Sequence, residues 1–440
     1  MIVFVTLLLG LISGVYPIEV KVGGPVAAVE FTLDGVAADR VAASPWTGHV
    51  NLGSDLRPHE LVARALDAEG HELSRVTQWV NLPRPPAEVE VVLTNDEKGT
   101  PRAAQLTWQS VNGVGPTSIA LTLDGEPLKV DPAGKAALPP RDLGSLHVLS
   151  ADLWFPPGVT ARRDVAYGGQ YGSEVSTELT AVPVRVHPGS SLPPAAALAG
   201  WFALDGQPLT VAAIEDGPAK VILVRVPAGK EVLDKLIPPV RRPTIPSLKA
   251  RMQLAAEDRI RFLSLGSSPF RTSKVPAELF DMSREMTAKD GGLFWYLTSS
   301  RLLKEPRNRK KRIADAVAVA GLQAAAENDR RAVVLVLGGE DEDASRYDVA
   351  TVRRYLESIR VPLFVWALYG PETPGAKAWA GGGGTDDIST LAKLETAVDR
   401  LKADLAEQRI VWLDGRHLPQ AVALGAEAKG VELVTAAPPL

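Results

Sequence analysis

No cysteine occurs in the 440 residues, which excludes disulfides, thiol nucleophiles and thiolate metal sites. The chain is also poor in histidine. Its six (His49, His59, His71, His147, His187, His417) are scattered; none falls in a His-Glu-x-x-His motif or pairs at helical spacing, so a zinc hydrolase centre has no starting point. No Gly-x-Ser-x-Gly nucleophile elbow is present either. An excess of basic residues is missing as well. The 48 Lys and Arg stand against 52 Asp and Glu, a net charge of −4, which leaves no basic face for nucleic acid. No apolar run is long enough to span a bilayer as a helix. What remains is ordinary for soluble protein: 45% apolar and 23% charged residues, in a chain long enough for two to four domains.

The N-terminus carries the longest apolar stretch. Residues 2–12 are apolar except for Thr6 and Gly10, and Ser13-Gly14 follow before Tyr16-Pro17. This reads as a signal peptide over residues 1–16, although no Lys or Arg precedes it. It implies a secreted, periplasmic or cell-envelope protein with no further membrane span. The competing reading is a buried first strand.

Residues 17–84 alternate apolar and polar positions in short runs separated by turn signals, the pattern of an antiparallel Ig-like β-sandwich. A stiff proline segment, Pro83-Arg84-Pro85-Pro86, precedes a second such sandwich over residues 87–186. Residues 187–218 read as a linker and hairpin. Apolar residues stand before Leu-Asp-Gly at Asp34-Gly35, Asp124-Gly125 and Asp205-Gly206. Asp-Gly gives the backbone freedom for a tight turn, so these are recurring hairpins with no binding role expected. Trp46, Trp79, Trp108 and Trp154 are expected as core anchors of the sandwiches.

From residue 219 to 414 buried strands alternate with amphipathic helices. Val333–Leu337 is an unbroken β-rich apolar run ending in Gly338-Gly339 and an acidic cluster, as in the centre of a parallel sheet. Ile313, Val317, Ala320 and Ala324 form one helical stripe, and Val349, Val352, Leu356 and Ile359 a second. Ile388, Leu391, Leu394, Val398, Leu401 and Leu405 form a third, with Asp386 or Asp387 as cap. The fold class is therefore multi-domain: two antiparallel Ig-like β-sandwiches followed by a doubly wound α/β domain, with residues 415–440 as a C-terminal β extension.

The stretches AKVILVRVPAGKEVLDKL (219–236), KDGGLFWYL (289–297), RRAVVLVLGGEDEDAS (330–345) and RVPLFVWAL (360–368) resemble, in order and spacing, the landmarks of a von Willebrand factor type A domain. The preceding region is similar to the Ig-like modules found before such domains in some exported bacterial proteins. The resemblance implies a metal-ion-dependent adhesion site: Asp-x-Ser-x-Ser after the first strand, a Thr after a Gly-Gly turn, an Asp after the central strand. Such oxygen ligands suit a hard divalent ion. Here Arg225 or Val226 stands for the first Asp, Ala228 and Lys230 for the serines, Leu293 for the Thr and Gly338 for the last Asp. Every expected ligand is missing, and added positive charge opposes a cation. No metal and no cofactor are therefore expected.

The resulting expectation is a non-enzymatic protein–protein interaction or adhesion module whose partner is a protein, not nucleic acid. Its binding residues would lie on the top loops: Arg225, Lys230, Leu293, Trp295, Glu340, Asp341 and Asp343. Arg225 or Lys230 pairing with Glu340 or Asp341 would replace the ion; the competing reading leaves all four solvated. For Trp295, beside Phe294 and Tyr296, core burial competes with an exposed contact role. The acidic loop Asp341–Asp343 is expected to cap the helix that follows it. Arg307–Arg312 reads as a solvated basic run before a helix, and Gly381–Gly384, lacking a following Lys-Ser or Lys-Thr, as a connector. Two other functions stay open: a Mg²⁺- or Ca²⁺-dependent adhesin using displaced ligands such as Asp341 and Asp343, and a hydrolase with an unrecognised site.

Overall fold

The computed structural model describes residues 2–8, 10–83, 87–96, 100–110, 114–156, 159–168, 175–176, 179–237, 249–272, 275–287, 289–299, 311–339 and 342–438. They form two compact units, one of residues 1–83, 181–413 and 417–440, the other of residues 84–180 and 414–416.

The first unit begins with a β-sandwich. One sheet runs Ile2–Phe4, Val15–Val22, Thr47–Asn51, and the other Val36–Val41, Ala28–Leu33, His59–Leu66, Glu72–Val80. Alternation does the folding work: Leu61, Ala63 and Ala65 point inward from one strand onto a core with Ile18, Phe31, Val50 and Val80. The N-terminal stretch, read as a signal peptide, takes the form of the competing strand. Ile2–Phe4 pairs antiparallel with Val20–Val22, and Ile2, Phe4 and Leu8 are buried in this core. The Leu8 amide donates to Gln78 Oε1 at 2.7 Å and that of Ile12 to Asn81 Oδ1 at 2.8 Å. Val15–Val22 runs unbroken across residue 16.

The α/β part follows from residue 219. Its strands are β1 (Ala219–Arg225), β2 (Arg259–Thr272), β3 (Val275–Met282), β4 (Arg330–Leu337), β5 (Leu363–Ala367) and β6 (Asp386–Asp387), in the order β3-β2-β1-β4-β5-β6. Neighbours are parallel except at β2, which pairs antiparallel with β3 and with a seventh, two-residue strand, Met286–Thr287. β1 and β4 are apolar almost throughout because both faces are covered. The helices are α1 (Gly229–Leu236), α2 (Gly292–Thr298), α3 (Ile313–Ala325), α4 (Val349–Ser358), α5 (Pro374–Trp379) and α6 (Leu391–Glu407). α1, α2 and α6 bury apolar side chains on one face of the sheet; α3, α4 and α5 do so on the other, joined by Leu56 of the sandwich. Tyr355 of α4, fully buried, donates its hydroxyl to the Asn81 carbonyl at 2.9 Å. The cap of α6 is Thr390, not Asp386 or Asp387, which form the edge strand.

Residues 187–218 and 415–440 were expected to be separate linker and extension segments. They combine instead into a third β module. Val211–Glu215, Gln408–Asp414, Leu179–Val186 and Val431–Leu433 form one sheet, and Gln207–Pro208, Phe202–Leu204 and Val422–Leu424 another, around Val182, Val184, Phe202, Val411, Leu413 and Val422. The α/β part is thus inserted between two adjacent antiparallel strands, Val211–Glu215 and Gln408–Asp414.

The second unit is a sandwich of a five-stranded sheet (Glu126–Leu128, Ser118–Leu123, Leu146–Phe155, Val159–Gly168, Val175–Ser176) and a three-stranded one (Lys135–Ala137, Pro101–Ser110, Ala87–Asn95), enclosing Leu106, Leu121, Leu149 and Phe155. Trp46 and Trp108 pack against their sandwich cores as expected. Trp79 is half-buried, and Trp154 is 41% exposed on the outer sheet face, because strand alternation turns it away from Leu153 and Phe155.

Candidate functional site

In parallel α/β sheets ligands sit at the carboxyl ends of the strands where strand order reverses; here that is the end of β1, beside β4. Arg225, last residue of β1, stands there. It is only 8% exposed. Its Nη1 donates to the carbonyls of Tyr296 at 2.6 Å and Leu297 at 2.8 Å, and Nη2 to that of Ser299 at 3.1 Å. The guanidinium also lies 5.3 Å from the centre of the Phe262 ring. Those carbonyls belong to the last turn of α2 and its cap, where a helix leaves acceptors unpaired and its dipole favours positive charge. Gly229 is required opposite: a Cβ there would run into the Ser299 carbonyl and the Arg225 guanidinium.

Arg225 is therefore an internal clamp and offers no surface. Leu293 is buried at 3% exposure in the core beside Phe294 and Leu297, because it faces the sheet from α2. Trp295, two residues on along the same short helix, is 46% exposed; the core-burial expectation fails for it. Lys230 is exposed at the start of α1. Glu340 and Asp341 lie outside the described residues.

Asp343 is engaged by backbone. Its carboxylate accepts from the amides of Ile313 at 2.8 Å, Ala314 at 3.1 Å and Ser345 at 2.9 Å. The acidic loop thus caps α3, which precedes it in the chain, and not the helix that follows. That helix, α4, is capped by Asp348, which accepts from the Thr351 amide at 2.7 Å.

Sequence reading missed Tyr369, two residues beyond β5 and 44% exposed. Its hydroxyl donates to Glu231 of α1 at 2.9 Å, Lys235 lies 5.1 Å from its ring centre, and Gly339 sits against the ring. The bond to Glu231, with some burial, raises the phenol pKa above its ordinary value. Its signal was available: an aromatic at the carboxyl end of a parallel strand. Beyond it, Asp387 accepts from Lys393 at 2.5 Å and from the Ser389 amide at 2.8 Å. Burial works to raise the pKa of Asp387, and these bonds outweigh it and hold the carboxyl below its usual range.

Among the described residues, the metal site that the resemblance implies finds no fitting ligands at this edge. The positions that would supply oxygens hold a buried guanidinium, a core leucine and a glycine, and the Asp343 carboxylate is taken up by amides. Among the described residues no group of three or more acidic or histidine side chains is arranged to hold a metal, and no helix is long and apolar enough to cross a membrane. Two aromatics are exposed here, Trp295 on α2 and Tyr369, whose hydroxyl bonds to Glu231 of α1.

No family model and no curated protein matches the chain. Among solved structures, the fibronectin(III)-like modules of CbhA from Clostridium thermocellum are 14% identical, matching 38% of this chain and 94% of theirs with a TM-score of 0.16. The central fibronectin-III array of RIM-binding protein is 10% identical over 45% of this chain and 81% of its own, with a TM-score of 0.24. Proximal thread matrix protein 1 from the mussel byssus is 12% identical over 44% of this chain and 49% of its own, with a TM-score of 0.27. The first two are β-sandwich modules; at these TM-scores none of the likenesses carries an argument about function.

Proposed function

We propose that the chain is a non-enzymatic protein–protein interaction module of the cell envelope or exterior. Its α/β part is of the von Willebrand factor type A kind and engages its partner without a metal ion through the edge formed by α1, α2 and Tyr369. Support for the family reading comes from the landmark stretches together with a parallel sheet that has one antiparallel edge and helices on both faces. The observation that carries the metal-free reading is Arg225. A fixed positive charge, buried and bonded to three carbonyls, occupies the end of β1 where the resemblance calls for a carboxylate. The contact role rests on Trp295 and Tyr369, since exposed aromatics supply most of the energy of interfaces.

The test is affinity capture from the native envelope with the full chain, with and without chelator, beside a Trp295→Ala/Tyr369→Ala variant. The expected result is a partner retained equally in chelator and lost with the double substitution. Capture that needs Mg²⁺ or Ca²⁺, or that ignores both aromatics, would overturn the reading.

A further inference from the structure

The repeated Leu-Asp-Gly turn has a partner that the turn chemistry alone does not reveal. In the first sandwich Asp34 accepts from the Glu60 amide at 2.9 Å and meets His59 Nδ1 at 2.7 Å. In the second sandwich Asp124 accepts from the Val148 amide at 2.9 Å and meets His147 Nδ1 at 2.8 Å. The strand registers are equivalent, Leu33 opposite Leu61 and Leu123 opposite Leu149. In the third β module Leu204 stands opposite Val422, which places the non-titrating Gln420 at the position of the histidine. At this third turn Gln420 donates instead to the Pro58 carbonyl at 3.0 Å. The clip is built twice, and its far side differs.

That difference decides the charge. The His59 ring is fully buried and its Nε2 has no hydrogen-bond partner, so its one polar contact is the bond to Asp34. The His147 Nε2 instead faces the Asp142 carbonyl at 2.8 Å. Both of its neighbours are acceptors only. A neutral ring can donate to one of them and must turn a lone pair on the other at hydrogen-bond distance; only the imidazolium satisfies both. We propose that His147 is the charged centre of a pH-dependent latch. It ties the start of strand Leu146–Phe155 to the Asp124-Gly125 turn and to the segment around Asp142, and it releases that segment as the ring loses its proton.

Among the described residues, the groups around the ring are these. Arg141 lies 3.9 Å from Asp124 and pairs with Glu126 at 2.6 Å, the Asp142 carboxylate accepts from the Gly144 amide at 3.1 Å, and the Tyr167 ring centre is 5.4 Å from that of His147. Burial works to lower the His147 pKa, but the bonds to Asp124 and Asp142 outweigh it and hold the ring above the ordinary imidazole value of 6.5. A raised folded-state value fixes the sign: the latch contributes fully below about pH 6.5, and its contribution disappears as pH rises through the folded value. Asp124 closes the window at the acid end. Burial raises and the bonds from Val148 and His147 lower its pKa, with a net lowering, so its share is lost only as pH falls through that lowered value.

The test is a proton NMR titration of the full chain carrying ¹³C-labelled histidine, with the His147 ring assigned through its contact with Tyr167. The expected midpoint lies above 6.5, and Asp124→Asn moves it down. Amide protection at Val148 should fall as pH rises through that midpoint in the wild type and stay flat in His147→Gln. A wild-type midpoint at or below 6.5 would overturn the latch whether or not the variants fold. So would protection at Val148 that follows pH identically in wild type and His147→Gln.

Discussion

Replacing Arg225 by methionine keeps the unbranched apolar stem and removes the guanidinium. Three carbonyls, those of Tyr296, Leu297 and Ser299, then lose a charged donor. Hydrogen bonds to a charged group are worth about 1.5–3 kcal/mol each, but the three share one donor and do not add. The loss of all three lies between one such bond and their sum, about 3–5 kcal/mol, and with the side chain only 8% exposed water replaces little of it. For an α/β part of this size the loss corresponds to about 6–20 °C in Tm, taking about 2–4 °C per kcal/mol. Arg225→Lys should fall between, because a compact ammonium cannot serve three carbonyls spread over a helix end. Thermal unfolding read by tryptophan fluorescence checks the magnitude, and Trp295 reports from the same helix. A methionine variant within about 1 kcal/mol of wild type, with the Trp295 signal unchanged, would refute the clamp and with it the electrostatic argument against a metal.

Deleting residues 2–13 removes the strand Ile2–Phe4 and the buried Ile2, Phe4 and Leu8. At about 1.5–3 kcal/mol per buried side chain, the first sandwich should lose more than about 4 kcal/mol by urea unfolding; an unchanged midpoint would favour a removable segment. Asp343→Ala strips the distant cap from α3 and should cost about 1–2 kcal/mol, with no change in the response of Tm to millimolar Mg²⁺. A Mg²⁺-dependent shift that is present in wild type and lost in the variant would instead make Asp343 an ion ligand.

The helical stripes were legible because burial follows period: Ile313, Val317, Ala320 and Ala324 are all buried on α3, as are Leu394, Val398, Leu401 and Leu405 on α6. The central strand was legible for the same reason. Contacts that depend on long-range closure were not. Nothing local tells that Asp343 caps a helix 30 residues upstream, or that Val211–Glu215 waits for Gln408–Asp414 as its neighbour. Trp154 shows a different limit: in a strand, a shift of one position separates core from solvent, and the residue type favoured the wrong side. Of the candidate site, Lys230 and Trp295 were placed on the surface, while Arg225 and Leu293 turned inward, toward a helix end and a core whose positions only the fold supplies.

The α/β insertion leaves its host where it entered. Glu215 and Ile410 face each other across the same sheet, and directly opposed antiparallel residues have Cα atoms about 4.5–5.5 Å apart. Cutting out everything between them would leave a gap that a two-residue turn closes. Backbone pairing in the host does not require the guest, but side chains cross between them: the buried Arg185 of the host bonds to Asp404 of α6 at 2.7 Å, and Arg360 donates to the Val422 carbonyl at 2.9 Å. While present, the guest is fastened at two neighbouring strand ends and by these buried bonds, so it cannot swing about a single covalent link.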